Sequence, residues 1–270
     1  MKEEELKVKR EIAVMRIHSK MFPSISLKEE VSLERLLKVF ESHEKFEPNK
    51  WGNWERARLD YNKSEIINLA NLDKIDEVYL HRKSLIKYSG SFDLNWSSRS
   101  YLDFEMNKST SQKYWSTFFE IFDRVAEIVK PRYGLTHITW DVVRPWTNEH
   151  ERLKDWMAYA SNPAPVDYPH GPCGLGIRTY FGGDILELFD REIFKTIPAI
   201  VTEMEWGGIR IDLVDKPWEA DPELLFERWL DAMKHLEPAQ VFAIPQFDEE
   251  NGRWIRFSAN KVWKEYLERK

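Results

Sequence analysis

The chain has 270 residues, 42% hydrophobic and 32% charged, with 40 basic against 46 acidic side chains and a net charge of −6. Such length and apolar content supply a core without disulfides or metals and exclude a disordered chain, and the single cysteine, Cys173, excludes an internal disulfide. The mild acidic excess argues against a general nucleic-acid binder, which carries a basic footprint, and no apolar run reaches the roughly 20 residues that span a bilayer.

The opening MKEEELKVKRE is charged and lacks the apolar core of a secretory signal, so the expected location is cytoplasmic, away from membranes. Loose alternation over Val8–Ile17 predicts a strand. Ser26-x-x-Glu29 has the form of a capping box before a helix through Leu33, Leu36, Leu37 and Phe40. Residues 46–62 are irregular, and a short helix is expected over Ser64–Leu72. Two or three strands follow between Val78 and Met106, with Leu102, Phe104 and Met106 on one face of the last.

The strongest helical signal runs from Ser111 to Lys130, where Trp115, Phe118, Phe119, Phe122, Val125, Ala126 and Val129 keep helical spacing. Pro131 follows, then a strand over Tyr133–Asp141 and a polar helix over Asn148–Ala160. Four prolines in SNPAPVDYPHGPCG (161–174) mark a loop or connector. Beyond it come a strand (Leu175–Phe181), a helix (Asp184–Phe194) and a hairpin of Ala199–Glu205 and Ile209–Val214 turning at Trp206-Gly207-Gly208. Asp221 caps a helix with Pro222 in its first turn and Leu225, Trp229, Ala232, Met233 and Leu236 on its apolar face. A strand at Gln240–Ile244, a short hairpin and a terminal helix over Ser258–Arg269 complete the reading.

The fold class is therefore α+β, with mixed or antiparallel sheets and packed helices. Residues 1–160 form an N-terminal half, 161–174 a Pro-rich connector and 175–270 a C-terminal half. Both halves run strand, helix, strands, long helix, proline, strand, with Pro131 and Pro238 at matching joints. That order fits either a duplicated split β-α-β arrangement or a single irregular α+β domain.

No complete catalytic motif is present. Cys173, near His170 in HGPCGLG, invites a nucleophile reading, yet the elbow pattern fails because Leu175 stands where the last glycine belongs. As a dinucleotide loop the same stretch fails at Thr179. The seven histidines lack metal-ligand spacing, and His150-Glu151 is followed by Lys154 where a second ligand belongs. No metal or cofactor is expected.

Charge is unevenly spread. From Glu203 to Asp231 nine acidic residues face three basic ones, so this segment carries a net −6 and the remainder is balanced. Asp212 lies beside Arg210 and Asp221 is a helix cap. Those roles leave Glu203, Glu205, Trp206, Asp215, Trp218 and Glu219 as a clustered acidic and aromatic surface. A solvated acidic face is the bland reading. A partner-binding face is the functional one, because aromatic anchors carry affinity and charge of one sign speeds encounter with a basic partner.

FEPNKWGNWER (46–56), GLGIRTYFGGDILELF (174–189) and GGIRIDLVDKPWEADP (207–222) together resemble immunity proteins of bacterial polymorphic-toxin and type VI secretion systems. The resemblance implies a non-enzymatic cytoplasmic protein that binds a cognate toxin stoichiometrically and blocks its active site or assembly. The alternative from another class is a hydrolase or transferase with a site near Tyr168, His170, Cys173 and Arg178. A structural or phage-associated module is a third reading.

Overall fold

A computed structural model describes residues 16–97, 99–160 and 169–270. Strands β1 (Arg16–Phe22), β2 (Lys50–Gly52), β3 (Leu59–Asp60), β4 (Glu77–Arg82), β5 (Tyr88–Asp93), β6 (Leu102–Met106) and β7 (Tyr133–Thr139) come from the N-terminal half. They are joined by β8 (Arg178–Phe181), β9 (Ile200–Glu203) and β10 (Ile209–Asp212). All ten form one sheet in the order β3-β2-β4-β5-β6-β1-β7-β8-β10-β9. Every pairing is antiparallel. Strand β8 pairs with β7, Tyr133 opposite Phe181, so the sheet runs on from one half to the other. The described chain is thus α+β, a large antiparallel sheet with packed helices.

Helices α1 (Glu30–Glu41), α2 (Lys63–Asn71) and α3 (Trp115–Val129) belong to the first half, with α1 and α3 packed together on one face of the sheet. Helical spacing on α3 and strand alternation on β5 and β6 aim aromatic rings at the same layer. Phe40 stacks on Phe104 at 4.8 Å, Phe46 on Tyr88 at 4.4 Å, and Phe118 meets Phe122 at 4.5 Å. Buried aromatic pairs of this kind add about 0.5–1.5 kcal/mol each beyond their area.

Helices α4 (Glu149–Ala160), α5 (Gly183–Leu186), α6 (Pro222–Leu236) and α7 (Lys261–Glu268) build the opposite layer. Adjacent strand residues point to opposite faces, and β8 shows the division. Phe181 packs on Phe189, Phe194 and Phe242, whereas the Tyr180 hydroxyl donates to Asp123 of α3. Trp229 of α6 is fully buried, stands edge-on to Trp156 of α4 and donates to the Leu175 carbonyl.

Most expected elements are present, with five main differences. The helix expected over Asp184–Phe194 is only the one-turn α5, followed by a separate 3-10 turn over Arg191–Lys195. Strand β1 occupies 16–22; positions 8–15 of the expected strand lie outside the described residues. Helix α1 is not capped by Ser26, whose hydroxyl instead contacts the Leu94 carbonyl and the Lys28 amide. The irregular 46–62 region contains the short strands β2 and β3. The strand expected at Gln240–Ile244 is absent, whereas the short hairpin expected after it is present as β11 (Ile244–Phe247) and β12 (Ile255–Ser258), a ribbon separate from the main sheet. Pro245 within it has no N–H for a second ladder. The correspondence between halves ends there, since β7 runs through the main sheet and β11 stays out of it.

Candidate functional site

The acidic segment ends the sheet. Among the described residues strand β9 is its last strand and pairs with β10 alone, so its outer edge presents unpaired backbone groups. Met204 N–H donates to Gly208 O and Gly207 N–H to Met204 O, both at 2.9 Å, closing the expected turn. Gly207 has φ +88°, a conformation that suits glycine.

Glu203, Glu205, Asp215 and Glu219 are all exposed, the first two beside the turn that precedes β10 and the last two beyond its far end. Of the four, Glu219 has an ion pair, 3.7 Å from Lys216. Sequence reasoning missed one contributor, Glu127 of α3. Burial raises its pKa, and the carboxylates of Asp123 and Glu205 add to the rise. Nothing in helical spacing brings position 127 to position 205; only the packing of α3 against the sheet does.

The two indoles are less available than the sequence suggests. Trp206 is half-buried: a side-chain carbon on Gly182 would lie 2.3 Å from its ring, and one on Gly208 would lie 2.0 Å away. Its ring nitrogen is buried without a partner. Trp218 is also half-buried, 5.6 Å from Phe119, and its carbonyl accepts from Gln112 at 2.9 Å. Trp54, Trp96 and Trp254 are the more exposed indoles, at 55%, 53% and 39%. The edge therefore offers carboxylates and strand backbone, while the two indoles lie apart, Trp206 against Gly182 and Gly208 and Trp218 against Phe119 near the start of α3.

Beneath it lies a charged network. Asp212 is 3% exposed and accepts from both Arg178 and Arg210. Arg210 also donates to Asp123 at 2.7 Å, and Arg178 lies over the Phe119 ring at 5.3 Å. Asp212 does face away from the apolar side and does pair with Arg210. That second face is covered by α3, however, so Asp212 is buried and Arg210 half-buried.

The described members of the alternative enzymatic quartet are not assembled as a group. Tyr168 lies outside the described residues. Arg178 points to the α3 face, engaged by Asp212, whereas the Cys173 carbonyl accepts from Trp156 on the opposite layer. Cys173 is 4% exposed, its sulfur 3.9 Å from His170 Nδ1, and burial pushes its thiol pKa up to about 12. A thiol held protonated is a poor nucleophile. Among the described residues no group of three or more His, Cys, Asp or Glu could hold a metal ion, and no helix is long and apolar enough to cross a membrane.

No protein-family model and no curated protein matches the chain. Among solved structures it is similar to the Pseudomonas aeruginosa T6SS protein PA0821. The TM-score is 0.50 at 13% identity, over 94% of this chain and 84% of that one. At that identity the likeness is one of fold.

Proposed function

We propose that this protein is an immunity-type inhibitor, cytoplasmic and associated with type VI secretion, which neutralises a cognate bacterial toxin by stoichiometric binding. The observation that carries the reading is the open, carboxylate-flanked edge of β9. Exposed edge strands receive an extended segment from a partner by backbone hydrogen bonding, and Glu203 and Glu205 bias that partner toward a basic contact surface. Trp206, Asp215, Trp218 and Glu219 complete the contact. The fold shared with a protein named for the T6SS supports the setting, and the resemblance of 174–189 and 207–222 to immunity proteins supports the role.

The test uses the product of an adjacent toxin-like reading frame. Titration calorimetry should give a 1:1 complex, and the Glu203→Lys/Glu205→Lys double variant should weaken it roughly tenfold or more, chiefly through slower association. Both side chains are exposed, so the fold is retained. Unchanged affinity removes this edge from the interface; failure of the wild-type chain to bind or protect removes the function.

A further inference from the structure

The sheet face turned away from α1 and α3 bears polar side chains at its β4–β5–β6 end, where His81, Ser89 and Glu105 stand in register across three strands. A cavity of about 510 Å³ opens there, lined by Arg16, Arg58, Arg82, Lys83, Lys87 and Lys108. Among the described residues Glu105 is the one carboxylate in its lining. Six cations around one anion is a costly arrangement in a chain of net charge −6. Nor is it neutralised locally: among the described residues none of the six forms an ion pair with a carboxylate.

Two of the guanidinium groups are held in place by backbone carbonyls. Arg82 donates to Ser84 O and Glu47 O, and Arg58 to Glu55 O and Ala57 O. At the wall stands His81, 6% exposed, whose Nε2 is buried without a partner. A buried polar atom left unsatisfied costs about 1–3 kcal/mol, and here it borders the cationic cavity. Tyr88 also lines the space, but its hydroxyl donates to the Phe46 carbonyl and its ring belongs to the core. Tyr88 therefore offers no free ring face on which a nucleobase would stack.

We propose that this cavity is a binding site for a compact multivalent phosphate, a di- or triphosphate group held by the Arg58 and Arg82 forks and the Lys83, Lys87 and Lys108 ammonium groups. Planar guanidinium forks match phosphate oxygens two at a time, and lysine supplies point charge. The volume lies within the range of small-ligand sites. This site is on the opposite part of the sheet from β9 and stands independently of the toxin-binding reading. It is also local, and so compatible with a chain that lacks an overall basic footprint.

Inorganic tripolyphosphate is the probe. Calorimetric titration of the full chain at low salt should show a single site. Lys83→Ala/Lys87→Ala should weaken it roughly tenfold or more, the weight of at least one charge-assisted bond; both side chains are exposed, so the fold survives. Lys261→Ala/Lys264→Ala on α7 should leave affinity unchanged, and the His81 imidazole resonances should shift on saturation. No binding at millimolar tripolyphosphate overturns the proposal. So does equal weakening by the α7 pair, or equal affinity for citrate, either of which would mean diffuse attraction. Binding of a single-stranded oligonucleotide without binding of tripolyphosphate would assign the cavity to a nucleic-acid backbone and overturn it as well.

Discussion

Arg210 of β10 donates to Asp123 of α3 at 2.7 Å, across 87 residues of sequence. This contact ties the acidic end of the sheet to the long helix of the first half. Arg210 also bonds Asp212 at 2.8 Å, and Asp212 holds Arg178, so two arginines and two aspartates compensate one another, with the Tyr180 hydroxyl on Asp123. Removing one member strands a buried partner charge. Asp212→Ala should destabilise the chain by about 3–5 kcal/mol, read as a lower denaturant midpoint at unchanged slope. A loss under about 1 kcal/mol, the value of a solvent-screened surface pair, would show that the network is open to water.

Trp206 lies against the bare backbone of Gly182 and Gly208, which leaves no room for a methyl group. An added carbon at Gly208 would also sit 2.7 Å from the Phe181 carbonyl. Gly208→Ala should cost about 1–3 kcal/mol as an overpacked site, with a change in tryptophan emission as the indole is displaced. In the Trp206→Ala background its cost should be smaller, because the ring it strikes is gone. Strict additivity would place the strain in the backbone contact alone.

Acid should destabilise the fold through two histidines before most carboxylates titrate. Burial, then the nearby His18, lowers the pKa of His137, whose Nδ1 accepts the Ile177 N–H at 3.1 Å. Burial, then Arg58 and Lys83, lowers His81 to about 4. In an unfolded chain both titrate near about 6.5. Between pH 6.5 and about 4 the unfolded state therefore binds more protons than the folded one, and stability present above 6.5 is lost as pH falls. Melting temperature should decline over that window, and His81→Gln should flatten the decline. An identical slope in the variant would mean that His81 is solvated.

The elements were legible where one short-range pattern dominated. Helical spacing marked α3, and alternation marked β6 with Leu102, Phe104 and Met106 buried. Asp221 caps α6 by accepting from the Glu223 amide, and Gly207 turns the β9–β10 hairpin, as their local chemistry requires. Ser26 misled because a serine four residues before a helix can bond a distant carbonyl instead. The strand expected at Gln240–Ile244 does not form, because Gln240 takes a left-handed conformation and the Ala243 N–H bonds the Pro172 carbonyl outside any sheet.

By itself the amino-acid order determined the α+β class, the position of the long helices and the concentration of negative charge after residue 203, because periodicity, capping and charge are properties of neighbours in the chain. Only the tertiary structure decided what that charge faces. It buried Asp212 beneath α3, laid the Trp206 indole on two glycines, brought Glu127 to Glu205, and gathered six cations from five separate segments around His81. Most of those juxtapositions span tens of residues and arise from how helices and strands pack, which no spacing along the sequence encodes.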